Sequence, residues 1–176
     1  DKYKAIKTNS RDAILLELSN IQGVYVPKFY TPMYNSDNTI KNFEIHHNAP
    51  KLIKRRIVRN LDIYPGMSAI LTPNTEFGKM FLVEINRGCS RMCKFCVTSF
   101  IQTPIRRRSL ACVMDIIEKG LKWTNKIGLV GTSIADYLEI DELAEFIMGK
   151  NAYLSTSSLR AESASEILIN ALGKGG

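Results

Sequence analysis

Apolar and polar positions fall into two textures along this chain. From Lys79 onward, short apolar runs alternate with helical periodicity. Met80-Phe81-Leu82-Val83-Glu84-Ile85 is nearly continuous in apolar residues, the pattern of a strand covered on both faces. Lys126-Ile127-Gly128-Leu129-Val130 and Ala152-Tyr153-Leu154-Ser155-Thr156-Ser157 predict a second and a third strand. Between them, Leu110, Val113, Met114, Ile117 and Leu121 form one helical stripe over 109–123, with Ser109 as N-cap. Leu143, Phe146 and Ile147 predict a helix over 141–148, closed by Gly149. A third helix is expected to start at the capping box Ser163-x-x-Glu166 and to end before Gly173. The order β-α-β-α-β-α predicts an α/β fold with three parallel βα units, strands in the order 1-2-3 and 152–157 at the sheet edge.

Upstream the pattern is weaker. Leu15, Leu16 and Leu18 predict a helix over 12–20, stopped by Gly23. Residues 23–30 predict a strand broken at Pro27, and 31–38 a loop. Residues 39–46 and 51–59 alternate as strands do, Pro65-Gly66 turns, and 68–73 predicts one more short strand. Little here promises a separate core. The division expected is an interdomain helix with an extended, β-rich segment over 1–77, then the βα units over 78–176.

Composition adds bounds. The chain has 176 residues, 45% of them hydrophobic and 23% charged, as in ordinary globular proteins. No apolar run approaches the ~20 residues of a membrane span. The net charge of +7 gathers in Lys51, Lys54, Arg55, Arg56 and Arg59, and in Arg106, Arg107 and Arg108. Such clusters can meet nucleic acid. Without interleaved aromatics, a solvated or interdomain face is the reading preferred.

The candidate chemistry lies just after the first apolar strand. Three of the four cysteines, Cys89, Cys93 and Cys96, fall within eight residues, spaced Cys-x3-Cys-x2-Cys. This is not a secreted disulfide framework, and a reducing, cytoplasmic setting is expected. Three thiolates on one loop suit an iron–sulfur cluster, which usually takes four cysteines, so one iron stays open to a substrate or cofactor. A structural zinc site needs a fourth ligand. His46 and His47 lie about 40 residues upstream, outside any zinc-finger spacing. Arg87 and Arg91 flank the cysteines with positive charge that favours thiolate, or stand solvated. Cys112 falls off the apolar stripe of its helix and reads as a spectator.

The cysteine loop resembles the radical S-adenosylmethionine (radical SAM) superfamily. There, three cysteines of a Cys-x3-Cys-x-aromatic-Cys loop hold a [4Fe–4S] cluster whose fourth iron chelates S-adenosylmethionine. Cys89, Cys93 and Cys96 match one for one, and Phe95 matches the aromatic position. The resemblance implies that the βα units are a partial (β/α) barrel, the N-terminal half of a full one. It implies further site residues at the strand ends. Gly131, Thr132 and Ser133 stand where the family keeps a glycine-rich motif for the methionine amino group. The usual Gly-Gly-Glu is altered here at Thr132 and Ser133, so backbone carbonyls would serve. Arg160 would pair with the methionine carboxylate, Phe95 would meet the adenine, and Ser155 and Ser157 would line the barrel. The plainer readings are a βα turn, a surface arginine, a loop packing residue and helix-side packing.

Further segments are similar to the cobalamin-binding branch of that superfamily. They are Val24-Tyr25-Val26-Pro27 with Phe29-Tyr30, Arg55–Asp62, Thr72–Gly78, Gly128–Gly131 and Ser157–Arg160. A cobalamin domain would precede them, so the chain is expected to be a fragment, with cobalamin used by the full-length parent. The implied reaction is reductive cleavage of S-adenosylmethionine to a 5′-deoxyadenosyl radical that takes hydrogen from an unknown substrate. Ferredoxin or flavodoxin would donate the electron. Methylthio transfer to transfer RNA or a ribosomal protein is the alternative within the superfamily. A non-catalytic electron-transfer module is the alternative outside it. An exposed sheet edge would favour self-association.

Overall fold

The computed structural model describes residues 10–175, and the chain divides into two units between Val58 and Arg59. In the first unit, α1 (Arg11–Ser19) forms where the leucines predict it. The strand expected over 23–30 does not. Pro27 instead opens a single 3-10 turn, Pro27–Phe29. The strand begins at its end, as β1 (Tyr30–Tyr34), inside the stretch expected to be a loop. It pairs antiparallel with β2 (Ile40–Ile45), with Pro32 opposite Phe43. A two-stranded ribbon tolerates this proline because every strand in it is an edge. The turn residues act only between the strands, where Asp37 accepts from the Thr39 amide and hydroxyl. Val26, Phe29, Tyr30 and Ala49 make a small core of their own. Residues 51–59 add no strand to the hairpin, and Lys51, Lys54, Arg55 and Arg56 are exposed.

The second unit is built on β3 (Phe81–Glu84), β4 (Asn86–Arg87), α2 (Thr98–Ile101), β5 (Arg106–Arg107), α3 (Leu110–Leu121), β6 (Lys126–Val130), α4 (Ile140–Gly149), β7 (Tyr153–Thr156) and α5 (Glu166–Gly173). Strands β3, β6 and β7 form one parallel sheet in that order, with β7 at an edge as the pattern predicts. Period two sorts the side chains onto two faces. Phe81, Val83, Ile127, Leu129 and Leu154 are buried in the core with Val113, Ile117, Leu143, Ile147 and Leu168 of the helices. Each such side chain contributes about 1.5–3 kcal/mol by burial. The other face carries Leu82, Gly128 and Ser155 across one row, then Glu84 and Val130.

Two local expectations need correction. Residues 68–73 form no strand. The segment lies beside β3 through a bridge from Met67 to Val83, with the Ser68 amide donating to Leu82, the Leu82 amide to the Ser68 hydroxyl and the Glu84 amide to Gly66. The N-cap of α5 is Ser165, whose hydroxyl accepts from the Leu168 amide at 3.0 Å. Ser163 instead closes a 3-10 turn. Ser109 does cap α3, accepting from the Cys112 amide at 3.3 Å.

The largest correction is Arg108, expected in a surface cluster with Arg106 and Arg107. It is 2% exposed. Its guanidinium donates to the carbonyls of Glu84, Leu61 and Tyr64 and to the Glu84 carboxylate. Arg87 donates to the same carboxylate at 2.5 and 3.0 Å. Burial pushes the Glu84 carboxyl up, but the bonds from Arg87 and Arg108 outweigh it and hold it below its ordinary value. A carboxylate depressed on folding contributes stability above its unfolded value of about 4.3 and loses it as pH falls through the folded value. Melting temperature is therefore expected to fall on acidification below about pH 4. Glu84→Gln should lower it at neutral pH and flatten that dependence. Parallel pH curves for the two proteins would contradict this.

Candidate metal centre

The cysteine loop starts where β3 leaves the sheet. The Ile85 amide still donates to the Val130 carbonyl, and β4 then pairs antiparallel with β5, Asn86 opposite Arg107. Gly88 follows with φ +86°, and a Cβ there would collide with the Gln102 carbonyl. Both facts demand glycine. Gly88→Ala is expected to cost on the order of 1–3 kcal/mol, read as a lowered denaturation midpoint. An unchanged midpoint would show that the loop has room to shift.

Beyond Gly88 the loop folds back twice. Met92 takes a left-handed backbone, φ 53°, and its amide donates to the buried Ser99 hydroxyl at 3.2 Å. The Cys96 amide donates to the Cys93 carbonyl at 3.0 Å. Cys89, Cys93 and Cys96 are half-exposed free thiols. Hydrogen bonds from the Thr98 hydroxyl and amide hold the Cys96 thiol below its ordinary pKa, toward the thiolate that a metal takes. Among the described residues, no three His, Cys, Asp or Glu side chains are gathered closely enough to hold a metal ion. The donor set still fits an iron–sulfur cluster in kind: three free thiols on one loop at a strand's C-terminal end. The histidines that a zinc site would need have roles inside the first unit. His46 bonds the Thr31 hydroxyl, and His47 packs on Phe29.

The turn after β6 is fastened to this loop. The Thr132 amide donates to Asn86 Oδ1 at 2.9 Å, and its hydroxyl to the Gly88 carbonyl at 2.5 Å. A Cβ on Gly131 would stand 2.6 Å from Asn86 Oδ1, so glycine permits the approach. The Gly131 carbonyl accepts from Ser157 at 3.3 Å and Ser158 at 2.9 Å, which joins the end of β7 to the same place. Ser133 has a left-handed backbone, φ 54° and ψ 65°, and donates to Asp136 at 2.6 Å. Arg91 reaches the same carboxylate from the middle of the cysteine loop. Asn86, 3% exposed, has a buried Nδ2 with no hydrogen-bond partner. It lines an open cleft of about 480 Å³ with Glu84, Arg87, Gln102, Gly131 and Thr132.

The sequence-predicted residues thus meet in part. The cysteine loop, Gly131, Thr132, Ser133 and Ser157 share one end of the sheet. Ser155 is half-buried on the face of Gly128. Phe95 is 94% exposed. Arg160 donates to neighbouring Glu162, and its Nε is buried without a partner. Cys112 packs at the margin of the core, closer than its helical angle implies. Sequence reasoning missed Asn86, Asp136 and Arg108.

No protein-family model matches the chain. It is 39% identical over 117 residues to an uncharacterized protein of Methanocaldococcus jannaschii, a match covering 64% of this chain and 26% of that protein. It is 32% identical over 80 residues to the tRNA-2-methylthio-N(6)-dimethylallyladenosine synthase of Chlorobium phaeovibrioides, covering 43% of this chain and 17% of the synthase. It is 33% identical over 76 residues to a CDK5RAP1-like protein of Oryza sativa subsp. japonica, covering 42% and 12%. The chain therefore spans about a quarter or less of the curated relatives it matches. These partial similarities point as far as the radical SAM superfamily and no finer. No helix among the described residues is long and apolar enough to cross a membrane.

Proposed function

We propose that this chain is part of a radical SAM enzyme, with Cys89, Cys93 and Cys96 as the ligands of a [4Fe–4S] cluster. Its three βα units would be the first part of a (β/α) barrel. One observation carries the reading: three free thiols share a loop at the C-terminal end of β3, bonded to the turn that ends the neighbouring strand. Functional groups of βα folds gather at that end. When bound, such a cluster supplies the electron that cleaves S-adenosylmethionine to methionine and a 5′-deoxyadenosyl radical.

The chain's own residues bind and orient. The Gly131 carbonyl already accepts two hydroxyls and the Ser133 carbonyl accepts the Asp136 amide, which leaves the Thr132 carbonyl to meet the cofactor's ammonium group. Arg160 has one bond to an exposed neighbour and an unpaired Nε. A cofactor carboxylate would compete for it with the geometry that guanidinium favours. The exposed Phe95 ring offers apolar surface to adenine. Methylthio transfer to transfer RNA is a second reading, favoured by the partial similarity to the synthase. Use of cobalamin by a longer parent rests on the sequence resemblance alone.

The test is electron paramagnetic resonance of the reduced, reconstituted protein. S-adenosylmethionine is expected to change the cluster signal, since it would bind at the cluster itself. A signal identical with and without the cofactor would favour the electron-transfer module.

A further inference from the structure

The cysteine loop is fastened to the turn after β6 at two points. The first is the Thr132 hydroxyl on the Gly88 carbonyl, at the start of the loop. The second lies between Cys89 and Cys93. Arg91 Nε donates to Asp136 Oδ2 at 2.8 Å, and its terminal nitrogen to Oδ1 at 2.5 Å. Two parallel bonds fix orientation as well as distance.

Asp136 is held from behind. The Ser133 hydroxyl donates to its carboxylate at 2.6 Å, and the Asp136 amide donates to the Ser133 carbonyl at 2.9 Å. Its 3-10 turn is rooted in the core by Ile134 and Ala135. The Asp136 side chain is 15% exposed against 43% for Arg91, so the carboxylate is the fixed member and the arginine the one held. Ser133 supports this geometry with a left-handed backbone, a conformation that a non-glycine residue keeps only where its surroundings over-determine it. The hydrogen bonds from Arg91 also hold the Asp136 carboxyl far below its ordinary value, so the pair stays charged at neutral pH.

We propose that Arg91 and Asp136 form a latch that holds the cysteine loop on the Gly131–Asp136 turn and keeps a positive charge between Cys89 and Cys93. This rests on the cluster reading above and adds to it two residues that ligate nothing. Arg91 acts by position and charge, and Asp136 acts through Arg91. The loop and the turn then move as one body. A cluster on three thiolates carries negative charge, which a nearby guanidinium stabilises more after reduction than before. Loss of the arginine therefore makes the cluster harder to reduce.

The test uses Arg91→Ala, Arg91→Lys, Asp136→Asn, the double variant Arg91→Ala/Asp136→Asn and the charge-swapped Arg91→Asp/Asp136→Arg, with three readouts. The first is hydrogen exchange over 88–97 in the metal-free chain. The second is the affinity of the metal-free chain for phenylarsine oxide, which needs neighbouring thiols. The third is the midpoint potential of the reconstituted protein. Arg91→Ala and Asp136→Asn should each speed loop exchange and weaken arsenical binding severalfold. Together they should do no more than either alone, as expected of one shared interaction. The swapped pair should recover part of the loss. The potential should fall further in Arg91→Ala than in Arg91→Lys. Unchanged exchange and arsenical affinity in both single variants would overturn the latch. If exchange rises across the whole unit in Arg91→Ala, Arg91→Lys decides, since it keeps the charge and the stem. A wild-type chain that binds the arsenical but takes up no iron and sulfide would overturn the cluster reading instead, and exchange and arsenical binding would still judge the latch.

Discussion

Arg108→Ala is expected to destabilise the second unit by about 3–5 kcal/mol, the scale of breaking a buried ion pair by removing one member. The guanidinium is wholly buried, and its partner carboxylate on Glu84 is three-quarters buried, with 23% of its side chain exposed. Arg108 donates to the Glu84 carbonyl at 2.8 Å, the Tyr64 carbonyl at 2.8 Å, the Leu61 carbonyl and the Glu84 carboxylate at 2.9 Å. Alanine leaves these acceptors in place and removes every donor. It also leaves a void against Gly66, whose backbone packs on the guanidinium. The main chain of Arg108 contributes separately: its amide donates to Ile85 and its carbonyl accepts from Tyr137, both at 2.9 Å. Those bonds survive substitution, so the loss reports the side chain. Arg108→Lys should cost less but still more than 1 kcal/mol, since one ammonium cannot reach four acceptors in a fork. Denaturant unfolding measures both. A loss under about 1 kcal/mol for alanine would show that the carbonyls find water.

The second large effect concerns metal. Replacing any one of Cys89, Cys93 or Cys96 by alanine should reduce iron uptake on anaerobic reconstitution to near background, because two thiols on this loop leave the cluster with too few ligands. Cys112→Ala should leave uptake unchanged. Burial and the nearby Asp62 push the Cys112 thiol up, away from the thiolate that binds metal. Visible absorbance and iron content read the difference. Equal losses from Cys112→Ala would show that the ligand set is wrong.

What the sequence makes legible follows from how local each signal is. The order of β3, α3, β6, α4, β7 and α5 can be read because buried strands are apolar runs and the helices carry stripes that face them. The Ser109 cap is a local signal too, three residues from the amide it serves. The first unit is harder. Pro32 ordinarily argues against a strand, and only the pairing of β1 with β2 shows that both strands are edges. Strands β4 and β5 have two residues each, all polar, so no periodicity exists to find. Arg106, Arg107 and Arg108 look alike in sequence, and only the three carbonyls around Arg108 separate it from its neighbours.

The site divides in the same way. Cysteine spacing is a local signal and names one loop. The partners of that loop lie far along the chain: Arg91 and Asp136 are 45 residues apart and Thr132 and Gly88 44 apart. Asn86 reads as one polar residue after an apolar run. Its side chain instead accepts from the Thr132 amide beneath the turn. Such residues announce themselves only when the strands are side by side.

The central claim is that these three thiols hold an iron–sulfur cluster. Its most direct test is elemental: iron, acid-labile sulfide and zinc, measured together on wild-type protein purified and reconstituted without oxygen. The expected result is about four irons and about four sulfides per chain, with zinc at trace level. One zinc per chain with neither iron nor sulfide would contradict it.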